Sequence, residues 1–312
     1  MMELLNRLIN EPRLLLEIEL KPVQGDRFQP TGFPQLGAAE YTTPDGKQMI
    51  LLESTQSMAN RLELVCWDDA EGKLIEPLRG LPYIHVDIGD GAFTNSILEA
   101  HRINSEYITG RKKGQFRNKL TSEIGRDEKK PIDFKKFYAT LLKYDPNCLI
   151  HGVFLEEIDG RLRVPRMLSA FIEASEVLPA QSGGVKFSRV QPSMKEGEGN
   201  VPYSRTEYTA EKITAFFNID LAGIRGLGLG EKVEAFLILL SLYKIRKFLH
   251  EGLRLRTACD LEPIGDLKVT NIENLEIPPI EELEKNVTTA IETMKTKGYF
   301  SNPPVTRIDY KE

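Results

Sequence analysis

The order of apolar and polar positions divides the chain into strand-like and helix-like stretches joined by long polar connections. LLLEIEL at 14–20 ends in alternation, and a period of two puts one face of a strand on a core and the other outward. Met49 to Glu53 predicts a second strand, Tyr83 to Ile88 a third, Lys212 to Leu221 a fourth, and Leu253 to Cys259 (LRLRTAC) another. Leu149 to Leu155 reads as a strand ending at the Asp159-Gly160 turn, with Arg161 to Ser175 as its partner, broken at Pro165. Helical spacing covers Thr55 to Trp67, Phe134 to Tyr144, Glu231 to His250 and Ile280 to Met294, and a further helix is expected near Ser96 to Ile103.

The connections are distinctive in their own right. Lys21 to Gly37 holds three Gly and three Pro and reads as a structured loop. RKKGQFRNK at 111–119 reads as a basic loop. QSGGVKFSRVQPSMKEGEGNVPYSR at 181–205 reads as a long loop, a kind that usually carries function or disorder. Strands and helices alternate irregularly, which predicts an α+β fold with long insertions and not a doubly wound sheet.

Charge changes this picture more than composition does. The 312 residues are 41% hydrophobic and 28% charged, with a net charge of -5. From Thr94 to Lys136, however, eleven Lys/Arg face six Asp/Glu, whereas from Asn271 to Glu312 five face eight. Local patches, not the total, set phosphate attraction. Cys66, Cys148 and Cys259 form no C-x-x-C pair, and the four histidines show no H-x-x-x-H spacing, so neither a disulfide framework nor a zinc centre is expected. The start lacks a basic-then-apolar leader, and AFLILLSLYKI at 235–245 is too short to span a bilayer. A cytoplasmic protein with no membrane partner and no cofactor is the expectation.

Enzyme motifs are sparse. GIRGLGLG at 223–230 begins as G-x-G but meets Glu231 where a third glycine belongs, and no Walker Lys-Ser/Thr follows. Asp26, beside Arg27, is a candidate general base without a histidine near it in sequence. The polar clusters are richer. ESTQSMANRLE at 53–63 opens a helix whose Gln56 and Asn60 share one face and Ser57 and Arg61 another, a stripe of neutral donors beside one cation that suits phosphate and ribose. A capped helix with a polar face explains the same residues. EAHRINSEYI at 99–108 groups His101 and Arg102, and GGVKFSRVQP at 183–192 interleaves Lys186 and Arg189 with Phe187, the mixture found in single-strand binders.

LKPVQGDRFQPTGFPQLGAAEY (20–41), LLESTQSMANRLELVCWD (51–68), LEAHRINSEYI (98–108), ITAFFNIDLAGIRGLGLG (213–230) and LRLRTACDLEP (253–263) together resemble one family. It is the RAMP-type backbone subunit of type I CRISPR surveillance (Cascade) complexes, subtype I-U or I-G. The basic loop at 111–119 and the tail after Asp266 carry no part of the likeness.

The resemblance implies an RRM-like (ferredoxin-like) palm at 1–69, 137–180 and 206–264, a finger-like insertion at 70–136, a thumb-like loop at 181–205 and a C-terminal extension at 265–312. It also implies a non-catalytic protein that polymerises along CRISPR guide RNA and presents it to target DNA. Implied partners are further copies head to tail, the large and repeat-processing subunits, and the helicase-nuclease. The guide-holding residues would be Gln56, Ser57, Asn60 and Arg61, with Arg27, Phe28, His101, Arg102, Lys186, Phe187, Arg189, Arg205 and Arg225 around them. The alternative is a metal-dependent ribonuclease cutting guide-paired RNA through Asp26, as backbone subunits of the related type III complexes do.

Overall fold

In the computed structural model, residues 2–33, 35–110, 114–126, 130–187 and 200–310 are described. The fold is α+β. Its main sheet contains β1 (Leu14–Pro22), β2 (Glu40–Thr42), β3 (Gln48–Glu53), β8 (Leu168–Ser175), β11 (Lys212–Ile219), β12 (Arg254–Arg256) and β13 (Cys259–Val269). They run β12-β13-β1-β11-β8-β3-β2 across the sheet, every neighbouring pair antiparallel. Alternation is what builds it. On β1, Leu14, Leu16, Ile18 and Leu20 are buried while Leu15, Glu17 and Glu19 are half-buried, and β8 repeats that period.

Two helices cover the buried face. α1 (Thr55–Leu64) contributes Met58 and Leu62, and α6 (Glu231–Glu251) contributes Val233, Phe236 and Leu240. α6 is apolar around most of its circumference because α7 (Ile280–Thr296) packs on its other side with Leu283, Val287, Ile291 and Met294. The tail that follows is tied in as well: β14 (Val305–Asp309) pairs in parallel with β4 (Tyr83–Gly89), whose other edge carries β5 (Ala92–Asn95). α2 (Gln115–Ile124) and α3 (Phe134–Tyr144) complete the inserted part, α3 starting where the Asp133 carboxylate accepts from the Lys136 N–H at 3.0 Å.

Five expectations change. No α-helix forms near 96–103: the Asn95 side chain accepts from the Ile97 and Leu98 N–H groups at 2.9 and 3.0 Å, and Arg102 takes φ +54°, which ends helical progress. Residues 115–119 of the basic loop open α2, while 111–113 lie outside the described residues. Leu149–Leu155 is not one strand: a short helix, α4 (Asn147–Ile150), precedes Gly152 at φ +80° and β6 (Val153–Phe154), which pairs with β7 (Arg163–Val164). A side chain at Gly152 would meet the Val164 carbonyl at 2.8 Å. LRLRTAC bends at Ala258, φ +59°, into the β12-β13 hairpin. In the long loop 181–205, the described residues 181–187 and 200–205 belong to a two-stranded ribbon, β9 (Leu178–Phe187) against β10 (Asn200–Thr209), inserted between β8 and β11, while 188–199 lie outside the described residues. Among the described residues no helix is long and apolar enough to cross a membrane.

Candidate nucleic-acid interface

Ser54 caps α1, its hydroxyl accepting from the Ser57 N–H at 3.2 Å, and the Ser57 hydroxyl donates to the Ser54 carbonyl at 3.1 Å. Just before the cap, Glu53 is buried at the end of β3. A carboxylate there needs a counter-charge, and it has two. Arg61 Nη2 donates to Glu53 Oε1 at 2.9 Å and also to the Leu255 carbonyl. Arg256 donates to the same Glu53 oxygen, to the Leu52 carbonyl at 2.9 Å and to the Gln29 carbonyl at 3.0 Å. Two guanidiniums on one carboxylate leave an excess of one positive charge, and both side chains stay about a quarter exposed.

The same construction recurs at the base of the ribbon. Glu207 on β10 is buried and faces Arg27 Nη1 at 3.3 Å and Arg205 Nη2, whose side chains are 56% and 34% exposed. Phe28, next to Arg27, exchanges two backbone hydrogen bonds of 2.9 Å with Tyr208 and buries its ring completely. That corrects its expected role: a ring closed into the core has no face for a base. One arginine of each clamp, Arg205 and Arg256, lines a shared cavity of about 1120 Å³, together with Gln29, Glu40 and Tyr208. Gln29 Oε1 and Arg205 Nε are buried without a hydrogen-bond partner.

A second cleft, of about 740 Å³, opens beside the first turn of α1, where Gln56, His101, Asn104, Phe154, Arg163 and Arg166 line it. Arg166 donates to the Gln56 side-chain oxygen and, at 3.4 Å, to the Thr55 hydroxyl. Arg163 lies 5.0 Å over the exposed Phe154 ring, its cross-strand partner. Arg102 also borders this cleft, but it is 4% exposed and grips buried Glu63 through bonds of 2.7 and 2.6 Å while donating to the Gly152 carbonyl at 3.1 Å. Its expected contact with phosphate is therefore corrected: the guanidinium is spent inside the protein. Deeper still, buried Lys244 donates to Asn147 and lies 2.8 Å from His151 Nε2. Burial, then the Lys244 charge, pushes His151 well below the usual histidine range, and burial pulls Lys244 down from its ordinary value.

The structure thus brings Gln56 and His101 to one cleft, Arg205 to the other cavity, and Arg27 and Arg61 to the carboxylates beside that cavity. Asn60 is half-buried with Oδ1 unpartnered. Arg225, on the short helix α5 (Leu221–Gly226), donates to the Glu11 carbonyl at 2.8 Å and lines neither space. Lys186 and Phe187 belong to β9 by backbone, and Arg189 lies outside the described residues. Asp26 is exposed, and among the described residues no three His, Cys, Asp or Glu side chains gather as a metal site. Sequence reasoning misses Arg256, Phe154, Arg163 and Arg166. The alternating arginines of LRLR and the acid closing the apolar run MILLE are the signals that point to the Glu53 clamp.

A family model described as "CRISPR-associated protein GSU0053" matches residues 14–179, more than half of the 312-residue chain. Among solved structures, a chain of a "CRISPR RNA-guided surveillance complex, pre-nicking" is similar at 12% identity and TM-score 0.44, over 80% of this chain and 74% of that one. Csc2 of Thermofilum pendens is similar at 12% identity and TM-score 0.33, over 93% and 80%. No curated protein matches. The family match and the likeness read from the sequence point the same way: the chain belongs to the CRISPR-associated protein GSU0053 family.

Proposed function

We propose that this chain is a non-catalytic backbone subunit of a type I CRISPR surveillance complex, subtype I-U or I-G, holding guide RNA by its phosphates. The observation that carries the reading is the pair of arginine clamps, Arg61 and Arg256 on Glu53 and Arg27 and Arg205 on Glu207, which give Arg256 and Arg205 to one cavity. A guanidinium pinned by a buried carboxylate loses little further freedom when a phosphate arrives, and the surplus charge is sequence-blind.

The palm reading is supported by the order β13-β1-β11-β8 with α6 crossing from β11 to β13, as in a ferredoxin-like βαββαβ unit. The ribbon β9-β10, inserted between β8 and β11, is the thumb in this reading, and residues 70–136 are the finger. Copies stack head to tail along the guide, a heterologous contact that propagates instead of closing. The large and repeat-processing subunits, the helicase-nuclease and the target DNA strand complete the assembly.

The test is binding of unrelated guide sequences by the double variant Arg205→Ala/Arg256→Ala. Affinity should fall by about tenfold or more for every sequence, and the salt dependence should flatten by about one unit of slope per lost phosphate contact. A loss confined to certain sequences would overturn the phosphate reading. Cleavage of complementary RNA by the assembled complex with divalent metal, abolished in Asp26→Asn, would favour the ribonuclease instead.

A further inference from the structure

We infer that the cleft between Gln56 and the β6-β7 hairpin seats one unpaired nucleobase together with its phosphate, apart from the arginine-clamped cavity. The inference rests on the RNA-holding reading and adds a stacking site to it. The hairpin supplies the stacking surface: Phe154 and Arg163 are register partners, the guanidinium 5.0 Å from the ring centroid, and Phe154 stays 38% exposed. A benzyl face backed by a flat cation offers any base a stacking partner.

The polar side of the cleft is arranged for a phosphate. Arg166, held by Gln56 and Thr55, adds a second fixed cation, and Glu156 is the one carboxylate among the lining residues. His151 and Asn104 border the same space, and His151 Nδ1 and Asn104 Oδ1 are buried behind its surface without a hydrogen-bond partner. The volume, about 740 Å³, suits a small-molecule site.

Calorimetric titration of the full chain with UMP, AMP and ribose 5-phosphate tests this directly. The nucleotides should bind about tenfold or more tighter than ribose 5-phosphate, the gain expected of one stacked base. Phe154→Ala should bring the nucleotides down to the ribose 5-phosphate level, and Phe154→Tyr should restore them. Arg205→Ala/Arg256→Ala should leave nucleotide binding intact while impairing long RNA, so the two readings fail separately. Equal affinity for ribose 5-phosphate and nucleotides, or an unchanged Phe154→Ala, overturns the proposal. In the assembled complex, 4-thiouridine in the guide or 4-thiothymidine in the DNA should cross-link to residues 154–166, identifying the strand that supplies the base. Cross-links from neither would overturn it too.

Discussion

Both clefts draw on α1, yet they handle charge in opposite ways. Beside the larger cavity, each buried carboxylate carries two guanidiniums that remain partly exposed, so charge is displayed. Beneath the smaller cleft, Glu63, Arg102 and Lys244 are all nearly inaccessible and their charges are consumed internally, while the surface above holds the Phe154 ring with Arg163 and Arg166, neither of them bonded to a buried carboxylate. The lesson is that an arginine's role follows from how many of them share one acid and how deep that acid lies. Residue type alone does not decide it.

Removing Arg102 should give the largest effect in separating the two regimes. Arg102→Ala leaves Glu63 buried and unpaired, and denaturant unfolding should show a loss of about 3–5 kcal/mol. Arg205→Ala, whose carboxylate keeps Arg27, should lose no more than about 1 kcal/mol in the same assay. Similar losses for both would dissolve the contrast.

Next comes pH. Burial, and then the Glu63 charge, raises the Asp145 carboxyl from its ordinary 3.8 to about 6. The folded state therefore holds this proton more tightly than the unfolded one. That contribution to stability is complete below pH 3.8 and is lost as pH rises through about 6. Asp145→Asn, which can still accept from the Asn147 N–H, should flatten the stability profile across this window by up to about 3 kcal/mol, measured as unfolding midpoints at acid and neutral pH.

Single clamp removals should be milder. Arg61→Ala and Arg256→Ala should each weaken guide binding by about three- to tenfold and lower the salt slope by about one unit, because each leaves its partner on Glu53. An unaltered salt slope with lowered stability would make the Glu53 clamp purely structural. The smallest effect belongs to Arg225→Ala: about 1 kcal/mol of stability from the lost Glu11 hydrogen bond, and no change in salt slope.

Much of the sheet is legible in the sequence because its strands bury one face only; β1 and β8 alternate residue by residue. The β9-β10 ribbon is not: beyond its base, where Glu207 and Tyr208 are buried, both faces are at least partly exposed, with Gln181 and Gly183 exposed and Ser182 and Gly184 half-buried. Where neither side is buried there is no hydrophobic alternation to read. At the site, Arg27, Arg61 and Arg205 stand out as cations in polar stretches, but Glu53 and Glu207 as their anchors emerge only from long-range pairing. Phe28 and Arg102 look similarly available in sequence. One is closed off by a backbone bridge to Tyr208 and the other by a backbone turn at φ +54°, and neither leaves a compositional trace.

The pairing of β14 with β4 also sets an order of events on the ribosome. Val305 to Asp309 complete a sheet whose middle strand is made more than 200 residues earlier. At about 5–20 residues per second, β4 waits on the order of 10–40 s with one edge unpaired. The nascent chain therefore carries an open strand edge until residues 305–309 are made, and any partner strand met in that interval competes for it.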